Sequence, residues 1–452
     1  AGRRSALLVS TLGSFLTPFM GSSINTALPS LGKELALDTV SLGWVTTSYL
    51  LASAIFLVPF GRVADIYGRK RVFIVGVFVY TVASFLLTIS ASPVMVIALR
   101  IPQGIGAAMI FGTGVAILTS VFPVEERGKA LGINSASVYL GLSLGPFLGG
   151  VLTQQLGWRS IFLVNVPLGI LIIPISSWRL RGEWAEARGE RLDLWGSLIY
   201  SLTLTTLMYG LYLLPASSGV WLVLIGEVGV LVFFNVEARS QSPILNVNLF
   251  KGNTAFTFSN LAALINYSAT YAVSFLLSLY LQSIKGLSPQ NAGLVLVSQP
   301  IVQTAFSPIA GRLSDRMEPR VIASVGMGLT STALFALAVL MQGTSLDLII
   351  ACLVFLGVGL ALFASPNTNA VMSSVEKQFY GVASATIGTM RLLGQMLSMG
   401  ITMLILTAFM GRAQITPEYY PLFLQSTMII FTTFAALCFI GIFASLARGK
   451  VR

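Results

Sequence analysis

Apolar runs of about 20 residues recur from one end of the chain to the other, each long enough to cross the ~30 Å hydrocarbon core of a bilayer as a helix. Inside that core no water satisfies the backbone, so a spanning segment is either a helix or a strand of a closed barrel. Runs of this length exceed what a barrel strand needs. An all-α integral membrane protein is expected. Composition agrees, because 55% of the 452 residues are hydrophobic and 10% charged, against roughly a quarter charged in soluble domains.

Marking the runs between charged or Pro/Gly-rich breaks predicts 14 spans, near residues 6–31, 41–60, 72–90, 94–120, 130–153, 160–178, 194–213, 220–238, 254–282, 290–311, 321–341, 346–372, 382–411 and 422–447. The first is too long for a signal-peptide core and is kept as a span. An even count places both termini on one side. Of the 27 lysines and arginines, 21 then fall on the terminal side and four, Lys33, Arg159, Lys285 and Arg412, on the other. That asymmetry predicts cytoplasmic termini and a cell-membrane (plasma or inner) location. The net charge of +11 is explained by topology and anionic headgroups, so lipids and not nucleic acid are the expected partners.

Several chemistries are excluded. The chain has no histidine, hence no imidazole relay and no histidine metal site. Cys352 and Cys438 sit in separate apolar runs and read as buried small hydrophobes without a disulfide. No Gly-x4-Gly-Lys-Ser/Thr loop occurs, so no nucleotide cofactor or ATP drive is expected. Without a His/Asp/Glu cluster or hydrolase elbow, an enzyme is not expected.

Gly61-Arg62-Val63-Ala64-Asp65 follows the second span and Gly311-Arg312-Leu313-Ser314-Asp315 follows the tenth. A repeat offset by 250 residues fits a duplicated six-helix unit with two extra helices between the copies. The expected division is 1–178, 179–253 and 254–452, with the charged stretch 179–193 read as a solvated linker.

At these residues the chain resembles the major facilitator superfamily, and within it the 14-span drug:proton antiporter branch of multidrug exporters. The likeness rests on Gly61 to Arg71 as the loop between spans two and three, on Arg100, Gln103, Gly104 and Gly106 in span four, and on Gly141-x3-Gly145-Pro146-x2-Gly149-Gly150 in span five. Asn25 to Pro29, Gly157-Trp158-Arg159 with Asn165 and Pro167, and Tyr280-Leu281-Gln282 fit the branch. The resemblance implies the major facilitator fold, two six-helix bundles plus two linker helices, exporting lipophilic or amphiphilic molecules by alternating access coupled to proton influx, as a monomer.

For that activity the resemblance implies a cytoplasmic latch taking in Gly61, Asp65, Gly68, Arg69, Arg100, Arg127 and Asp315, where the plainer reading is a solvated charge run. Gly141, Gly145 and Gly149 recur every four residues beside Pro146, and suit either an interface that opens and reseals or static close packing. The substrate route calls for polar and aromatic groups that are costly in lipid. In the first half these are Asn25, Trp44, Tyr49, Asn134 and Tyr139. In span nine Asn260, Asn266, Tyr267 and Tyr271 qualify, the tyrosines and Asn260 sharing a helical face. Gln299 and Gln303 flank Pro300, and Asn367 and Asn369 lie at an expected break around Pro366. Each of these also fits an ordinary interhelical hydrogen bond.

Two positions depart from the branch. An aspartate is expected five residues before Asn25, where this chain has Met20, and Arg391 lies inside span thirteen, where some members of the branch carry another acid. An arginine effectively does not deprotonate. The remaining proton-exchange candidates are Asp65, acting with Arg100, and Glu227, about 10 Å into span eight. A cavity with Arg391 and no acid favours neutral or anionic amphiphiles over cations. Two alternatives stay open: a proton-independent facilitator or lipid exporter, and a membrane receptor that moves no cargo.

Overall fold

A computed structural model describes residues 2–180, 182–190, 192–214, 216–240, 243, 249–314, 316–376 and 380–449. Asp315 and the side chain of Arg127 lie outside the described residues. Among the described residues every regular element is helical. The spans are α1 (Gly2–Glu34), α2 (Thr39–Tyr67), α3 (Arg69–Thr88), α4 (Pro93–Val121), α5 (Val124–Leu156), α6 (Ser160–Arg179), α7 (Leu194–Leu213), α8 (Ser217–Arg239), α9 (Thr254–Ile284), α10 (Pro289–Ser314), α11 (Pro319–Ala338), α12 (Leu346–Ser373), α13 (Tyr380–Met410) and α14 (Tyr420–Ala447). Thirteen of these are long and apolar enough to cross a membrane. The fourteenth expected span, α7, has the length at 20 residues, but Ser, Thr and Tyr dilute its apolar surface.

Local chemistry sets the helix ends. Ser92, Ser288 and Ser345 accept from the N–H three residues on, and proline follows the first two directly, so each cap satisfies an orphan donor. Gly157 ends α5 at φ +82°, a conformation L side chains rarely adopt. Several helices outrun their apolar stretches. The charged signature expected in a loop after span two instead rides the last turns of α2, and Gly68 at φ +120° separates α2 from α3. Hydropathy marks the apolar stretch, while the helix continues beyond it.

The expected break at Pro366 is absent, because α12 runs unbroken through it. Irregular turns fall instead at Tyr271 in α9 and Val297 in α10, and α9 ends in a π-helical turn, Tyr280–Ile284.

The helices group into two compact units. The first comprises Ala1–Leu37, Ser41–Thr206 and Ile225–Ile244, and the second Asp38–Val40, Leu207–Leu224 and Leu245–Arg452. Residues of the inserted pair α7 and α8 are thus counted in both units.

Within the first unit α1 packs along α5, α3 along α4 and α6. Within the second α9 packs along α13, α11 along α12 and α14. The same crossings are built with the same device. A Cβ on Gly106 of α4 would stand 2.7 Å from the Gly76 carbonyl oxygen of α3, and one on Gly359 of α12 would stand 2.8 Å from the Gly326 oxygen of α11. Gly104 faces the Tyr49 carbonyl, and Gly357 faces that of Gln299. Gly145 abuts Phe19 and Ser22 of α1, and Gly394 abuts Leu264 and Tyr267 of α9. Without a hydrophobic drive between helices in lipid, such side-chain-free approaches let dispersion and Cα–H···O contacts hold the pair. The duplication read from one motif therefore extends to the helix crossings of each unit.

Candidate functional site

In the first unit a polar cluster surrounds Arg100 of α4. Its side chain is fully buried, donates from Nε to the Val45 carbonyl at 2.9 Å and from Nη1 to Gln103 Oε1 at 2.5 Å, and stacks 4.2 Å over the Tyr49 ring. Gln103 passes the chain on to Ser84 Oγ at 2.9 Å. Carbonyl, amide and aromatic face together solvate a guanidinium at membrane depth. Tyr49 is thereby a wall of the Arg100 cluster.

Met20 is buried against Asn165, whose Nδ2 sits 3.5 Å from the thioether sulfur and donates to the Ile161 carbonyl at 2.7 Å. The position where an aspartate was expected is thus packed, with an amide donor beside it. Asn25 and Asn134 are buried, whereas Trp44 and Tyr139 are half-buried.

The fifth-helix glycines belong to the α1–α5 contact inside this unit. A Cβ on Gly141 would stand 2.7 Å from the Phe15 carbonyl oxygen, and one on Gly149 would stand 2.7 Å from Ser23 Cβ. The stripe is closely packed against α1 here. Pro146 lies inside α5 between them.

At the α2–α3 junction Asp65 Oδ1 accepts from Arg69 Nε at 2.9 Å. Arg69 also reaches α4, donating to Ser120 Oγ at 2.5 Å and to the Ala116 carbonyl at 3.4 Å. Along α4 Ala116 and Ser120 stand about 24 and 30 Å from Arg100. Asp65 and Arg100 therefore do not pair directly in this structure. Gly61 has open space at its Cβ position. The stretch 182–190, expected as a solvated linker, is instead docked on this junction.

Gly157-Trp158-Arg159 marks the opposite end of the first unit. Trp158 Nε1 donates to Glu34 Oε2 at 2.8 Å, and Arg159 joins Glu34 Oε1 at 2.6 Å to the Ser90 carbonyl at 2.8 Å. Glu34, missed by sequence reasoning, is the shared acceptor.

In the second unit the candidates divide by burial. Asn260 is buried and bonds back to the Phe256 carbonyl, and Asn266 is buried with neither amide atom hydrogen-bonded. Tyr267, Tyr271, Gln299, Gln303 and Arg391 are half-buried. Gly394, one turn beyond Arg391, brings α13 against Tyr267. Asn369 donates to Ser314 Oγ at 3.0 Å and so joins α12 to α10.

Asn367 belongs to a cluster that sequence reasoning missed. Arg448, 1% exposed, donates from Nη1 to Asn367 Oδ1 at 3.1 Å and to Ser259 Oγ at 3.2 Å, and from Nε to the Ser445 carbonyl at 2.8 Å. Burial pulls this guanidinium down from its ordinary value to about 10, so it stays charged at neutral pH. A cation just past the last span reads in sequence as topology alone. A cavity of about 570 Å³ beside it is lined by Asn253, Thr254, Ser373, Ser374 and Arg448. None of the expected substrate residues lines that cavity.

Glu227 is exposed on α8, about 15 Å from Ser217 and deeper than the sequence estimate.

Comparison with known proteins follows the same lines. A family model described as Major Facilitator Superfamily matches residues 10–234 and 260–451. The riboflavin transporter RibZ of Clostridioides difficile (strain 630) is 31% identical over 388 residues, spanning 85% of this chain and 84% of that protein. The cephamycin export protein CmcT of Amycolatopsis lactamdurans is 34% identical over 400 residues, spanning 86% and 82%. A bacterial homolog of the human lysosomal transporter Spinster, crystallised inward-facing and unoccupied, matches with TM-score 0.69 at 18% identity, over 99% of this chain and 97% of that one. That structural likeness shows the fold alone. With the family model covering most of the sequence and the all-helical spans in place, the chain belongs to the Major Facilitator Superfamily, as an integral membrane transporter and not an enzyme.

Proposed function

We propose that the chain is a secondary active exporter of lipophilic or amphiphilic small molecules, working as a monomer by alternating access of a midplane site. Proton influx drives it, in a plasma or inner membrane with both termini cytoplasmic. The observation that carries the reading is the set of half-buried aromatic and amide side chains in the spans: Trp44 and Tyr139 in the first unit, Tyr267, Tyr271, Gln299 and Gln303 in the second. Half-burial leaves each a face to offer an amphiphile while its stem stays packed. Similarity to a cephamycin export protein supports the direction, and similarity to a riboflavin transporter extends the cargo to flat heteroaromatics.

Arg391 is the cationic member of the half-buried set, so neutral and anionic cargo is favoured over cations. One charge moved through 100 mV supplies about 2.3 kcal/mol, enough for a roughly fortyfold gradient. Proteoliposomes with an imposed pH gradient and cationic, neutral and anionic dyes of similar size test the proposal. Neutral and anionic dyes are expected to move. Movement of cations alone would overturn the charge preference, and movement of none would overturn export.

Met20 favours a second reading, a facilitator or lipid exporter that uses no proton, because its buried thioether cannot titrate. Under proton antiport, adding substrate releases protons into a weakly buffered medium. Under the second reading it does not.

A further inference from the structure

The three carboxylates of residues 182–190 each meet a base of the α2–α3 junction. Glu183 accepts from the Lys70 N–H at 2.8 Å and lies 3.6 Å from Arg71 Nε. Glu186 receives Arg69 at two points, 2.8 and 3.1 Å. Glu190 pairs with Arg62. Backbone bonds join in, from the Arg69 N–H to the Trp184 carbonyl at 2.9 Å and from the Ala187 N–H to the Asp65 carbonyl at 3.0 Å. Lys70 Nζ closes the near end on the Leu180 carbonyl at 2.6 Å.

Two details distinguish this from a chance pairing of surface charges. Gly68, at φ +120°, leaves no room for a side chain, since a Cβ there would lie 2.6 Å from Glu183 Cγ. The Arg69 side chain is 10% exposed and commits both edges of its guanidinium, Nε and Nη2 to Asp65, Nη1 and Nη2 to Glu186, with the last donor on Ser120. A planar fork gripped on two edges cannot swing about its final bonds, whereas one gripped on a single edge can. Bases Arg62, Arg69, Lys70 and Arg71 are then balanced by Asp65 and the three glutamates.

We propose that residues 182–190 form a strap whose Glu186 is a positioning residue for the latch: by holding the far edge of Arg69, it holds Asp65 at the end of α2. The role in transport rests on the exporter reading above, while the clamp itself does not. In the full chain, Glu186→Gln is expected to speed hydrogen exchange at the Arg69 and Lys70 amides about tenfold, the loss of a charge-assisted grip. In liposomes it lowers the maximal transport rate of whichever dye the wild type moves, with half-saturation unchanged. Glu186→Asp, which keeps the charge, restores part of both, and Arg188→Gln on the same strap changes neither. Wild-type exchange in Glu186→Gln overturns the inference whatever transport does. A changed half-saturation with an unchanged maximal rate overturns the positioning role. Faster exchange in a chain that moves no dye overturns the exporter reading and leaves the clamp standing.

Discussion

Two guanidiniums, Arg69 in the first unit and Arg448 in the second, are immobilised by opposite means. In the first, Arg69 is gripped by Asp65 and Glu186, whose side chains are 35% and 66% exposed. In the second, Arg448 is held by neutral oxygens from Ser259, Asn367 and Ser445. Near water a carboxylate is cheap to keep ionised, so counter-ions can do the holding. Where the ion is 1% exposed, each added carboxylate would bring its own desolvation cost, and fixed dipoles solvate the cation instead. Burial of the ion thus decides the chemistry of its cage.

The largest expected effect that tests this contrast is Arg448→Met. It leaves Asn367 Oδ1 and Ser259 Oγ buried without donors and should lower unfolding free energy by about 2–3 kcal/mol in detergent. Adding Asn367→Leu should recover about half, because an apolar pair needs no donor; no recovery would break the dipole-cage account. The pH profile is fixed in sign. A cation whose folded pKa burial pulls down to about 10 carries its destabilising burden in full below pH 10 and sheds it as pH rises further. The difference between wild type and Arg448→Met should therefore stay flat from pH 6 to 9, and a slope there would contradict the assignment.

A middle-sized effect compares the equivalent helix crossings. In Gly394→Ala the new Cβ meets the Leu264 carbonyl oxygen and Tyr267 Cβ, both at 2.7 Å, and neither is a flexible side-chain end. Overpacking of that kind costs about 1–3 kcal/mol. Gly145→Ala meets first the Ser22 hydroxyl, which can rotate away, and should cost less. Thermal unfolding of the two variants side by side checks the order, and a reversed order would mean that the α1–α5 contact is the less forgiving.

The smallest effect is Arg69→Gln, expected at about 1 kcal/mol or below once solvent screening of its exposed partners is counted. Its sharper signature is salt. At 1 M the Debye length falls to about 3 Å, so exchange at the Arg69 amide should rise severalfold while protection around Arg448 holds. Equal salt responses would erase the distinction between the two sites.

Helix number, helical class and duplication were legible in the sequence because the bilayer dictates the first two, admitting few backbones, and a repeated Gly61–Asp65 motif survives in linear order, although α7 falls short of the apolar character expected of a fourteenth span. The strap was not legible. Glu183, Glu186 and Glu190 have the spacing of an ordinary solvated face, and Arg69 lies 117 residues from Glu186, with nothing local to reveal the pairing. Polar residues in spans were recognisable as costly, but not which cost was met internally. Asn367 turned out to serve Arg448, and Tyr49 to serve Arg100. Pro366 looked like a break because proline removes a donor, yet α12 absorbs it without interruption.

The order in which the clasped charges leave the ribosome gives the strap one more consequence. Lys70 is made 113 residues before Glu183, a delay of roughly 6–23 s at common elongation rates. For that interval Arg62, Lys70 and Arg71 lack their glutamate partners and can bias which way α2 and α3 thread. Once the glutamates emerge, the same charges are silenced by their own chain, so an orientation signal used during synthesis becomes a fastening in the finished protein.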